Sequence, residues 1–146
     1  MKKKQILIVL LIAALGVVFI IYQYTFRKAA PNVAHKKADA ELTAIDLLEA
    51  FERNEQSANT LYLGKILIVS GTVESVSLDS LPSVYIKDPT SVSGVICGFD
   101  QNASGIASVQ KGAEIRIKGI CTGYLMDVIL NKCSIEPALN ANKQEE

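Results

Sequence analysis

Residues 6–22, ILIVLLIAALGVVFIIY, form seventeen consecutive positions without a charge, and no other stretch constrains the chain so strongly. At the helical rise of about 1.5 Å per residue, such a run approaches the ~20 residues that span a hydrocarbon core. Tyr22, Tyr24 and Phe26 extend it as an interfacial belt, and Arg27 and Lys28 follow with long stems that can reach headgroups. The competing reading is a cleaved secretory signal, whose apolar region usually covers about 7 to 15 residues and ends at a small-x-small site. This run is longer and exits through Tyr, Phe and Arg, and no cysteine precedes Cys97 to accept a lipid. The sequence therefore predicts an uncleaved single transmembrane helix, the anchor occupying residues 1–26. The basic tip Lys2, Lys3, Lys4 favours a cytoplasmic N-terminus. In a bacterium this makes an inner-membrane protein with its soluble part in the periplasm.

Residues 27–42 are rich in Ala and Lys, lack apolar periodicity and read as a flexible linker. About a hundred residues remain, enough for one compact domain and too few for two. The zero formal charge hides a split: all fifteen acidic residues lie at or beyond Asp39, whereas seven of the fifteen basic ones precede it. From Asp39 onward the net charge is −7. Binding to nucleic acid starts from neutralised phosphates, so a domain of this charge is a poor general binder of DNA or RNA. Anionic headgroups would repel it too, leaving Lys36 and Lys37 of the linker to meet the lipid. His35, the only histidine, stands in that linker without an orienting partner and reads as solvated.

Thr43 followed by Asp46 resembles a capping box, and Ile45, Leu48, Phe51 and Tyr62 follow at broadly helical spacing, which predicts one helix of about 15 to 18 residues ended by Gly64. Residues 66–76, ILIVSGTVESV, alternate as a long strand that is apolar on both faces in its first half, with Gly71 where a barrel strand would bend. Further strands are expected at 83–87, 94–99, 114–121 and 127–135, with a short helix at 103–109. Pro137 starts a polar tail, residues 137–146, without the means to fold. The predicted class is mainly β with one N-terminal helix. Five strands, a bent first one and a helix between the third and fourth describe a five-stranded Greek-key barrel, the OB-fold, over residues 43–136.

Residues 47–54, 62–73 (YLGKILIVSGTV), 111–123 (KGAEIRIKGICTG) and 127–135 (DVILNKCSI) resemble the tRNA_anti-like proteins, small bacterial envelope-associated OB-fold proteins. The resemblance spans about residues 43–136 and implies the barrel. It carries no functional residue across.

Cys121 and Cys133 fall on the fourth and fifth strands, and a hairpin centred on Asp127 would set them opposite each other. Two readings stand: a cross-strand disulfide in an oxidising compartment, or two reduced thiols acting as small apolar side chains. Cys97 alternates with Val95 and Phe99 and is expected in the core. Three cysteines without C-x-x-C spacing do not suggest a metal site, and no cofactor is expected. OB-folds bind ligands on the outer face of strands two and three, where Tyr85 and Lys87 would stand as candidate ligand-binding residues. No catalytic residue is expected, because Ser70 and Ser104 lack a histidine partner and the glutamates fall mainly on the helix exterior. The favoured function is a membrane-anchored, non-enzymatic binding or scaffold module that engages an envelope protein. Single-stranded nucleic acid, and a glycan or lipid, are the alternative ligands.

Overall fold

The computed structural model describes residues 3, 5, 12–20 and 33–137. The chain divides into two compact units, residues 1–31 and residues 32–146. In the first, residues 12–20 are helical. No helix among the described residues is long and apolar enough to cross a membrane. Most of the remaining positions of the expected anchor, and all of the expected tail beyond Pro137, lie outside the described residues.

The second unit is a closed barrel with short flanking elements. Its strands are β1 (Ala40–Thr43), β2 (Ile66–Ser77), β3 (Ser83–Ile86), β4 (Val95–Gly98), β5 (Glu114–Leu125) and β6 (Asp127–Glu136), in the order β1-β2-β3-β4-β6-β5, with β2 also paired to β5. That last pairing closes five strands, β2 to β6, into the Greek-key order of an OB-fold. β2 achieves this by changing neighbours. Positions 66–72 pair with β5, and positions 73–77 pair with β3 across an irregularity between Val73 and Ser75. Gly71 lies at the changeover because a Cβ there would come within 2.5 Å of Ile86 Cγ2 and 3.3 Å of Ala44 Cβ. The core beneath is aliphatic: Leu67, Val69, Val84, Ile86, Val95, Ile117, Val128 and Leu130 are fully buried. The segment between β4 and β5 forms a single 3-10 turn, Ile106–Ser108, where a short helix was expected.

Two expectations for the segment before β2 need correction. The single long helix is two, α1 (Ala44–Arg53) and α2 (Glu55–Tyr62), because Asn54 serves both. Its backbone N–H donates to Ala50 O, ending α1, while its side chain accepts from Ser57 N at 2.9 Å, starting α2. The cap at Thr43 forms as expected, with Thr43 Oγ1 accepting from Asp46 N at 3.1 Å. The second correction concerns the linker at 27–42, whose residues 27–32 lie outside the described ones and whose remainder is built into the domain.

Val33–His35 form a 3-10 turn with Val33 buried on β5 and β6. Asp39 then clasps Ile66: its N–H donates to Ile66 O at 2.7 Å and its Oδ2 accepts from Ile66 N at 2.8 Å. β1 continues parallel to β2, with Ala40 opposite Leu67 and Thr43 opposite Ser70, as a sixth strand outside the barrel. A four-residue strand held on one side has too little alternation to stand out in a sequence.

Candidate binding face

Alternation along the central strands turns Val84, Ile86, Val95, Cys97, Val128 and Leu130 inward, so the residues between them face out. Register brings those outward residues together. Ser75 lies opposite Tyr85, Tyr85 opposite Ile96, and Ile96 opposite Ile129, forming one row across β2, β3, β4 and β6. A second row runs through Ser77, Ser83 and Gly98. Asn131 reaches over Gly98, where a Cβ would come within 2.8 Å of its Oδ1. Its Nδ2 donates to Thr122 Oγ1 at 3.1 Å. The result is a half-buried apolar ridge of Tyr85, Ile96 and Ile129 beside a hydroxyl and amide row.

Tyr85 is fixed rather than free. Its hydroxyl donates to Asp127 Oδ1 at 2.9 Å, and Gly94 N–H donates to the same oxygen at 2.7 Å. Gly94 lies flat against the ring, since a Cβ there would meet ring carbons at 2.9 and 3.0 Å. Burial, and then the bond to Asp127, push the phenol up to about 12. Lys87 stands just past the end of β3, its N–H donating to Thr72 O at 3.1 Å. Its ammonium adds to the pull of Lys111, whose bond to Glu74 is the main reason that carboxylate titrates below its usual range. The two predicted site residues thus share one side of the barrel, but Tyr85 belongs to a clasp and Lys87 faces an acid. Ile96, Ile129 and Asn131 were not singled out in the sequence, although placing Val95 and Cys97 inward already sends Ile96 outward.

Most of the barrel's cations are paired. Lys111 pairs with Glu74 at 2.8 Å, Lys132 with Asp100 at 3.5 Å, Lys118 with Glu136 at 2.9 Å, and Arg116 with Glu41. Few cations remain for a phosphate backbone.

The model of the tRNA_anti-like family matches residues 1–135, taking in the N-terminal apolar run as well as the barrel. This chain belongs to the tRNA_anti-like family. No curated protein matches the sequence. Among solved structures, the chain is similar to a "putative nucleic acid-binding lipoprotein" of Klebsiella pneumoniae subsp. pneumoniae MGH 78578, with 17% identity and a TM-score of 0.58, over 66% of this chain and 91% of that one. At that identity the likeness shows a common fold. The OBody NL8, solved bound to hen egg-white lysozyme, matches with 16% identity and a TM-score of 0.37, over 52% of this chain and 99% of the other.

The tRNA_anti-like barrel also carries a groove of about 740 Å³ beside the start of α1, lined by Glu41, Ser70, Thr72, Glu114, Arg116 and Glu136 among others. Its charges are mostly spent internally. Arg116 donates to Glu41 through Nε at 3.1 Å and to Pro137 O at 3.0 Å, and Glu136 is held by Lys118. Among the described residues, no group of three His, Cys, Asp or Glu side chains is placed to hold a metal ion. His35 closes the 3-10 turn Val33–His35, which straps across β5 and β6.

The expected Cys121–Cys133 pairing is not what the barrel builds. The β5–β6 hairpin turns about Met126, with Leu125 opposite Asp127, and irregularities at 118–120 and 121–123 bring Leu130 opposite Cys121. A turn centred one residue earlier moves Cys133 two positions along β5, against Gly119, the two irregularities cancelling by that point. All three cysteines are buried free thiols, and Cys97 stands in the core as expected. Burial raises the Cys121 thiol. A bond to Cys133, and then burial, raise Cys97. Thiols held in this way stay protonated at neutral pH and make poor nucleophiles.

Proposed function

We propose that this tRNA_anti-like protein is a membrane-anchored, non-enzymatic binding module of the bacterial envelope. In this reading the N-terminal run holds the barrel at the periplasmic side of the inner membrane, and the Tyr85–Ile96–Ile129 ridge docks a protein partner. The observation that carries the reading is the ridge itself, three half-buried apolar side chains in one register row on the face that OB-folds use for ligands. The hydroxyl and amide row beside it resembles the polar rim of a protein interface.

Nucleic acid is the second reading, favoured by the fold and by the name of the Klebsiella lipoprotein. Charge weighs against it. The barrel side is net acidic, its single ridge tyrosine is hydrogen-bonded to a carboxylate, and stacking platforms for single strands carry successive aromatics.

A photo-crosslinking residue placed at position 96 of the full-length protein in living cells tests the leading reading. A discrete protein adduct is expected at 96 and not at position 111, whose lysine pairs with Glu74. Equal labelling at both positions would sink it. Titration of labelled single-stranded DNA and RNA at low salt separates the second reading, because a binder there must weaken steeply as salt rises.

A further inference from the structure

Two backbone features on neighbouring strands converge on one point inside the barrel. Leu130 of β6 faces the core opposite Cys97 of β4. Strict alternation from Leu130 would send Lys132 inward and Cys133 outward. Lys132 instead adopts φ of +58°, in the left-handed region that residues with a side chain rarely occupy, and stays exposed. The extra residue turns Cys133 inward, to 6% exposure. Across from it on β5, Gly119 leaves the room its sulfur needs, because a Cβ there would come within 2.6 Å of Cys133 Sγ. The Cys133 thiol thus joins the fully buried thiol of Cys97 in one core, close enough to raise that thiol further than burial alone does.

We propose that Cys97 and Cys133 are the two halves of a disulfide that ties β4 to β6, with Cys121 left as the free thiol. The bridge forms by exchange with a disulfide, either of a small molecule or of a protein oxidant. One cysteine thiolate attacks the donor, expelling one of its sulfurs. The second cysteine attacks the resulting mixed disulfide and expels the other. Two cysteine thiols are oxidised, one donor disulfide is reduced to two thiols, and the two protons go to the departing sulfurs. Neither sulfur is accessible in the closed barrel, so exchange precedes closure, and closure then shields the bond from reductants. The chemistry depends only on the fold. Its occurrence in cells rests on the proposed periplasmic location of the barrel.

The test uses the full-length protein in detergent, reduced, unfolded and refolded in an oxidising glutathione buffer. It is then acid-quenched and alkylated with N-ethylmaleimide in denaturant. Peptide mass mapping is expected to find one adduct, on Cys121, and a Cys97–Cys133 peptide pair that a reductant separates. Three adducts, or a bridge that includes Cys121, would overturn the proposal. Cys121→Ser should still form the bridge, with no adduct left, whereas Cys97→Ser should carry two adducts. The same alkylation on acid-trapped cells reports location separately. A bridge in vitro with three free thiols in cells would overturn the periplasmic reading and leave the sulfur pairing standing.

Discussion

β6 passes from one outer surface of the barrel to another, and the two surfaces are finished differently. Near its start, Ile129 joins Tyr85 and Ile96 on a face that no part of the described chain covers. Near its end, Glu136 lies where Val33–His35 strap across β5 and β6. Beneath that strap Lys118, outward-facing on β5 and 7% exposed, is bound by Glu136 at 2.9 Å and by Ala34 O at 3.3 Å. Among the described residues, one surface is closed by the segment Val33–His35 and the other is left open. On that division, substitutions under the strap should cost stability, and substitutions on the ridge should cost binding.

The largest effect is expected at Val33. It is 2% exposed and lies apart from the barrel's main core, so its burial is the strap's apolar support, beside the Lys118 bond to Ala34 O. Val33→Asp puts a carboxylate into a seat that is 2% exposed, under a strap whose Lys118 is already bound by Glu136, at a cost of about 3 kcal/mol unless the strap peels away. Peeling caps the loss near the ~2 kcal/mol that burying the valine contributes. Urea unfolding measures the loss, and rapid amide exchange at Lys36, whose N–H donates to Val33 O at 3.1 Å, distinguishes peeling from strain. A loss below about 0.5 kcal/mol would erase the difference between the two surfaces.

Glu136→Gln should cost about 2 kcal/mol, because it leaves a buried ammonium with one long bond to a carbonyl. The figure sits below that for a wholly buried pair because the Glu136 side chain keeps 21% exposure. Lys118→Met should cost less than Glu136→Gln, since an apolar chain suits the covered site and the glutamate left behind can turn toward water. The reverse order would mean that the strap does not exclude solvent.

The barrel was legible in the sequence because its strands alternate cleanly; Val84 with Ile86, and Val95 with Cys97 and Phe99, all face inward as alternation requires. The Thr43 cap was legible for the same local reason. What escaped was set by tertiary contact. Val33 is one apolar residue in a lysine-rich stretch, and only the β5–β6 surface gives it something to bury against. Asn54 ends one helix and begins another through a single side chain, and helical periodicity continues across it. The left-handed Lys132 carries no Gly or Asn to announce it, so alternation alone could not place Cys133 inward and against Gly119 instead of opposite Cys121. At the candidate site Tyr85 was legible as an outward residue, but its clasp to Asp127 joins positions 42 residues apart.

That clasp stands at the edge of the open face and gives a smaller effect. Tyr85→Phe removes one hydrogen bond while Asp127 keeps its bond from Gly94, a loss of about 1 kcal/mol at neutral pH. The pH dependence has a definite sign. A phenol held up to about 12 keeps its proton in the fold over the range where the unfolded chain releases it, from about pH 10. Its contribution is therefore complete below pH 10 and is lost as pH rises toward 12. Wild-type stability should fall more steeply than that of Tyr85→Phe across this window in matched urea titrations. Parallel slopes would show that the clasp does not hold the phenol.

Ile129→Asp separates the two surfaces most directly, because its expected effect on stability is the smallest. Ile129 is half-buried and outward-facing, its register partner Ile96 is equally open, and water can solvate a carboxylate there. Stability should change by no more than about 0.5 kcal/mol. The same substitution puts a charge in the middle of the apolar ridge. A docked partner would have to desolvate it, and a charge unpaired at the centre of an interface is among the costlier changes a contact can suffer. Crosslinking from position 96 in cells should therefore fall at least tenfold in Ile129→Asp while the urea midpoint holds, the reverse of the pattern expected for Val33→Asp. If both variants lost stability equally and both kept the crosslink, the open ridge would be one more piece of barrel surface, and the partner would have to be sought elsewhere on the domain.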